Sequence, residues 1–130
     1  KRIVEGAYMW QSLLKSGAKV INGTDAPVEP LTPIASFFAS VSRQTLDGKP
    51  AGGYEANEKM TRAQALRSYT LDAAYGAFEE EQKGSIAVGK HADFTVFSQD
   101  IMTVPDSLLM RTNVIRTILG GKTVYEVQNN

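Results

Sequence analysis

The segment Val20-Ile21-Asn22-Gly23-Thr24-Asp25-Ala26-Pro27-Val28-Glu29-Pro30 constrains this chain more than any other. A short apolar run ends in a Gly-Thr-Asp turn, and Pro27 and Pro30 keep the backbone from resuming helix or strand at once. A buried strand that ends this way presents one carboxylate at its C-terminal end, held by a stiff loop. In parallel α/β folds and barrels that end of a strand is where chemistry is done.

The flanking pattern agrees with an α/β layer. Ile3, Ala7, Trp10 and Leu14 recur at helical spacing, Lys15 lies in the expected last turn, and Gly17 stands where a glycine ends a helix. The spacing predicts a helix from Ile3 to Leu14, then a buried strand over Ala18 to Asn22. Thr32-Pro33 is an N-cap and N1 pair, and Ile34, Phe37, Phe38 and Val41 form the inner face of the helix that follows. Residues 44–60 are polar and rich in glycine and proline, a long excursion of the kind that often covers a site. Thr61 and Gln64 read as a capping box opening a helix through Leu66 and Tyr69, with Thr70 capping a further turn to Tyr75. Glu79-Glu80-Glu81 reads as a solvated face.

After Lys83-Gly84 the pattern changes. Ser85 to Val88 is a short segment between glycines, Asp93 to Phe97 alternates, and Val114 to Leu119 is rich in β-branched residues. Gly120-Gly121 is a two-residue hairpin signal leading into Lys122 to Val127. The last third is therefore expected to be mostly antiparallel strand.

Composition narrows the function classes. Lysine plus arginine balance aspartate plus glutamate at 14 each, which leaves no electrostatic footprint for nucleic acid or an anionic membrane. Without cysteine there are no disulfides and no thiolate metal sites. No apolar run nears the ~20 residues of a membrane span, so a cytoplasmic protein is the default. The chain opens on Lys1-Arg2, next to a helical pattern, and is expected to be a piece of something longer.

Four motifs in order resemble the amidohydrolases, in the branch of YtcJ-like metal-dependent hydrolases. Gly23 to Pro30 resembles that branch's G-[ST]-D-x-P-V-x-P segment after the last barrel strand, and Thr61 to Leu66 with Tyr69-Thr70 and Ala73-Ala74 resembles its next helices. Lys83-Gly84-Ser85-Ile86 with Gly89-Lys90-His91-Ala92-Asp93-Phe94 resembles its KGSI-x-x-GK-x-AD segment, and Val114 with Gly120 to Tyr125 its closing hairpin. Asn22 departs from the pattern, where an apolar residue is usual, and Asp72 stands where asparagine is usual.

The resemblance implies the C-terminal part of a (β/α)8 TIM barrel, residues 1–82, followed by antiparallel strands of a small β-sandwich, residues 83–130. It also implies hydrolysis of a non-peptide C–N bond, in an amide, formamide or cyclic amide, by metal-activated water. Asp25 would serve as metal ligand and proton shuttle beside a divalent metal, expected to be zinc. Most of the ligands would lie outside this chain, because a catalytic zinc takes about three protein ligands. His91 is the only histidine, and it falls in a turn that the resemblance places far from the barrel mouth. Glu29 reads as a loop carboxylate that could line the pocket, and Arg43 with the excursion could help cover it.

The expected partners are a small-molecule substrate and the remainder of the barrel, with no nucleic acid and no membrane. Taken alone, the chain is expected to bind metal weakly, to catalyse nothing and to self-associate through unpaired strand edges and apolar faces. The rival reading is a non-catalytic α/β binding or assembly module in which Asp25 is only a turn residue, its side chain bonded to loop amides.

Overall fold

A computed structural model describes residues 6–128. Helix α1 (Trp10–Lys15) is followed by an extended segment and loop, then α2 (Pro33–Ser42), a 3-10 turn (Ala56–Glu58), α3 (Arg62–Tyr69) and α4 (Leu71–Gly76). The remainder comprises β1 (Phe94–Phe97), α5 (Asp106–Leu109), β2 (Val114–Leu119) and β3 (Lys122–Glu126). No described helix is long and apolar enough to cross a membrane.

Helix α2 organises the core. Its Ile34, Phe37, Phe38 and Val41 are buried together with Met60, Ala65, Ile101 and Leu109, and Trp10, Leu14, Val20 and Tyr69 pack around them. Burying an aliphatic or aromatic side chain of this size contributes roughly 1.5–3 kcal/mol. The capping box of α3 forms in full: the Gln64 amide donates to Thr61 Oγ1 at 3.2 Å, and the Thr61 amide donates to Gln64 Oε1 at 2.8 Å. Thr70 precedes α4, but its hydroxyl donates back to the Leu66 carbonyl at 2.8 Å instead of capping forward.

The three strands form one antiparallel sheet in the order β1-β2-β3. Gly120 and Gly121 have φ of 55° and 76°, the left-handed pair that a two-residue hairpin turn requires. The hairpin thus forms where the sequence places it. Ser85 to Val88 is loop, with Ile86 and Val88 exposed. The connection from β1 to β2 holds the helix α5, whose Leu109 is completely buried.

Three further expectations are corrected. The last third is not mostly strand, since β1, β2 and β3 are short and the remainder is loop and α5. The helix expected from Ile3 to Leu14 is interrupted: Ile3 lies outside the described residues, Gly6 is helical, and the path breaks at Tyr8, with φ of 58°, before helix resumes over Trp10–Lys15. The carbonyl of Tyr8 is turned to accept a bond from Arg43 Nη1 at 2.6 Å, a long-range contact that helical periodicity does not report. The strand expected over Ala18 to Asn22 is extended but belongs to no sheet. Strand character comes from a neighbour, and among the described residues its backbone bonds to the helices are at its two ends, Ala18 N–H to the Leu13 carbonyl at 3.2 Å and Asn22 N–H to the Ser68 carbonyl at 3.1 Å. Val20 packs on the core, whereas Ile21 is 53% exposed.

Candidate functional site

The local fold carries Asp25 outward in three steps. Helix α1 ends in a Schellman motif: the Gly17 amide donates to the Leu14 carbonyl at 3.0 Å, the Ala18 amide to that of Leu13 at 3.2 Å, and Gly17 has φ of 88°. The chain then crosses the core at Val20. At Asn22 it is forked onto two helices, with Nδ2 donating to Ser40 Oγ of α2 at 3.0 Å and to Ser68 Oγ of α3 at 3.2 Å. Three residues on, Asp25 is exposed and has φ of 56°, a left-handed conformation that aspartate tolerates better than most residues. The Val28 amide donates to the Asp25 carbonyl at 2.8 Å, closing a turn that leads to Pro33 and α2.

The Asp25 carboxylate itself accepts no hydrogen bond among the described residues. Its turn is closed through the backbone, so the side-chain bonding expected of a simple turn aspartate is not what holds the loop. Glu29 is exposed in the same loop and makes no ion pair among the described residues. His91 is exposed in the turn before β1, its amide bonded to the Gln82 carbonyl at 2.8 Å and its Nδ1 3.9 Å from Asp93. Asp72 is buried and bonded to Arg67 Nε at 3.0 and 3.2 Å, a structural pair that ties α4 to α3.

The excursion after α2 folds back on α1. Glu58 accepts from the Ser12 amide at 2.9 Å and its hydroxyl at 2.7 Å, which holds its carboxyl below the usual glutamate range. Its charge sits in the first turn of α1, where free amides and the helix dipole favour an anion. Burial pushes the Tyr69 phenol up, against a smaller opposing effect of Ser36. The residues that sequence reasoning missed are Ser40 and Ser68, which hold Asn22 and through it the Asp25 loop. Only Asn22, a polar residue interrupting an apolar run, signalled them.

The described residues contain no group of three or more histidine, cysteine, aspartate or glutamate side chains placed to hold a metal ion. Asp25, Glu29 and His91 are not brought together. A divalent metal would find in Asp25 one free carboxylate donor, which is too few to form a site by itself.

The sequence profile of the amidohydrolase family matches residues 1–125. The chain belongs to this family. It is 31% identical over 120 residues to YtcJ of Bacillus subtilis, a protein named for amidohydrolase membership, covering 92% of this chain and 23% of that protein. It is also 31% identical over 116 residues to the N-substituted formamide deformylase of Arthrobacter pascens, covering 89% of this chain and 21% of that enzyme. The chain thus spans less than a quarter of the length of these curated relatives. A solved amidohydrolase from Thermotoga maritima superposes with a TM-score of 0.67 at 23% identity, over 92% of this chain and 26% of that one, a likeness of fold. These relatives agree with the YtcJ-like resemblance read from the motifs.

Proposed function

We propose that this chain is the C-terminal segment of a metal-dependent hydrolase that cleaves a non-peptide C–N bond with water. An N-substituted formamide is the first substrate class to test, by the likeness to a formamide deformylase. In this reading residues 1–82 complete a (β/α)8 barrel, and residues 83–130 contribute strands to a small β-sandwich. Location in the cytoplasm, a small-molecule substrate and the rest of the barrel as partner belong to the same reading.

The observation that carries it is the Asp25 carboxylate, exposed and unbonded in a turn whose backbone holds itself, inside a family match spanning nearly the whole chain. A divalent cation, zinc by expectation, would supply the acidification of water and the polarisation of the carbonyl. Asp25 would be one of its ligands. The remaining work falls to Asp25: as a general base it accepts a proton when water attacks, and as a general acid it returns that proton to the leaving amine. In this reading the Asn22 fork and the Val28–Asp25 turn fix the backbone from which the carboxylate would make both transfers. The described residues bring no other ligands to Asp25, and we expect the chain by itself to be inactive.

The test is metal content and formamide hydrolysis of the full-length protein beside Asp25→Asn. The reading expects kcat to fall by about 10²–10⁴-fold, the range for a removed acid–base group, with the fold intact. A protein that holds no metal, or an Asp25→Asn variant that hydrolyses at the wild-type rate, returns Asp25 to a loop role and favours the binding-module reading.

A further inference from the structure

Arg43 ends helix α2 as a buried cation. It is only 7% exposed and adopts a left-handed backbone, with φ of 53°. Its Nη1 donates to the Tyr8 carbonyl at 2.6 Å and its Nε to the Tyr54 carbonyl. Nη2 is shut off from solvent and has no acceptor among the described residues. None of the described ion pairs includes this guanidinium. Trp10 and Tyr54 lie with ring centres 4.8 and 5.4 Å from its central carbon.

Those rings compensate part of the buried charge. The N–H bonds of a guanidinium lie in its plane, however, and two carbonyls satisfy only part of that edge. A cation left in this state is costly unless an in-plane acceptor, and preferably an anion, completes it. Arg43 also forms part of the wall of a cavity of about 450 Å³, within the roughly 300–1,000 Å³ of small-molecule sites. Tyr8, Trp10 and Tyr54 supply aromatic wall, and Asn22 and Ser40 supply polar atoms. Lys49 borders the same cavity, but its charge is already offset by Asp47 at 3.4 Å. Asp25 does not line it.

We infer that this cavity binds a small monocarboxylate with an aromatic or apolar body, its carboxylate in the plane of Arg43 and its body against Trp10 and Tyr54. A single unpaired arginine matches one negative charge, and planar carboxylate oxygens match the geometry of the free edge. A dianionic phosphate would bring a second charge into aromatic walls with nothing to offset it. Nη2 is shut off from solvent, so entry of the carboxylate requires the cavity lining to shift.

The experiment titrates benzoate, and neutral benzamide as its isosteric control, into the full-length protein by calorimetry. Benzoate is expected to bind with Kd of about 1 mM or tighter, and benzamide at least tenfold more weakly. Arg43→Met should abolish the preference for benzoate. Ala39→Leu, which narrows the cavity and leaves the guanidinium in place, should weaken benzoate at least tenfold should Arg43→Met fail to fold. Binding unchanged in Ala39→Leu, or in a folded Arg43→Met, overturns the inference, as does equal binding of benzamide. Formamide hydrolysis measured on the same variants keeps this result separate from the role of Asp25.

Discussion

Helix α2 sends Ile34, Phe37, Phe38 and Val41 inward and leaves none of them more than 7% exposed, whereas no residue of β1, β2 or β3 reaches full burial. All five residues of β3 are exposed, with Val124 at 60% and Tyr125 at 50%. The helical half is held by packing around a shared core, and the sheet by its ladders and a glycine turn. Isolated small sheets are marginal in water unless a hydrophobic face is covered. What joins the halves is the connection between β1 and β2: Ile101 and Leu109 enter the core of α2, and Arg62 of α3 bonds the Ile101 carbonyl and Asp106. The sheet is anchored through its loop more than through its strands.

The largest effect should follow from cutting that anchor. Leu109 has no exposed surface, and Leu109→Ala leaves a cavity in a packed interior, at a cost of about 2–5 kcal/mol. Tyr125→Ala on the exposed strand should cost about 0.5 kcal/mol or less, as surface changes usually do. Denaturant unfolding of both variants in the full-length protein measures the contrast. Equal losses would break the comparison and mean that the sheet face is covered by another part of the protein.

A second contrast lies inside the helical half, between apolar and ionic contacts. Asp72 is buried in α4, and its neighbour Arg67 is half-exposed in α3. Arg67→Met leaves a buried carboxylate without its cation, a loss of about 3 kcal/mol for a deep pair and less here because one partner meets solvent. Asp72→Asn removes the charge with its need for a partner and should cost clearly less than Arg67→Met. The reverse order, read from the unfolding midpoints, would assign the stabilisation to the carboxylate's own surroundings.

What the sequence shows of this fold is what is local. Helix α2, the capping box at Thr61 and Gln64, and the hairpin at Gly120-Gly121 each rest on residues within a few positions of one another, and each forms. The extended segment over Ala18 to Asn22 reads as a strand because Val20-Ile21 favours one, but a strand exists only beside another. The helical pattern before Leu14 is interrupted at Tyr8, whose carbonyl bonds a residue 35 positions away, and α5 hides in a connection with little periodicity. The candidate site divides the same way. The Asp25 loop is legible from its glycine and prolines, while Asn22 reaches partners 18 and 46 positions away. The four amidohydrolase motifs were readable because each is a short run, and the family match confirms the membership they point to.

The smallest expected effect concerns how the excursion holds α1. Two Ser12 donors, the backbone amide first and the hydroxyl second, hold the Glu58 carboxyl below its ordinary value of 4.5. A carboxyl whose folded value is depressed adds stability above the unfolded value and loses it as pH falls through the folded one. The contribution should therefore be complete at neutral pH, decline below about 4.5, and vanish once Glu58 is protonated in both states. Glu58→Gln cannot ionise, so the gap between wild type and this variant should narrow across that window in a melting series at falling pH. Ser12→Ala, which keeps the amide and loses the hydroxyl, should fall between them. A gap that stays constant from neutral to acid pH would mean that Glu58 holds α1 by shape and hydrogen bonding without help from its charge.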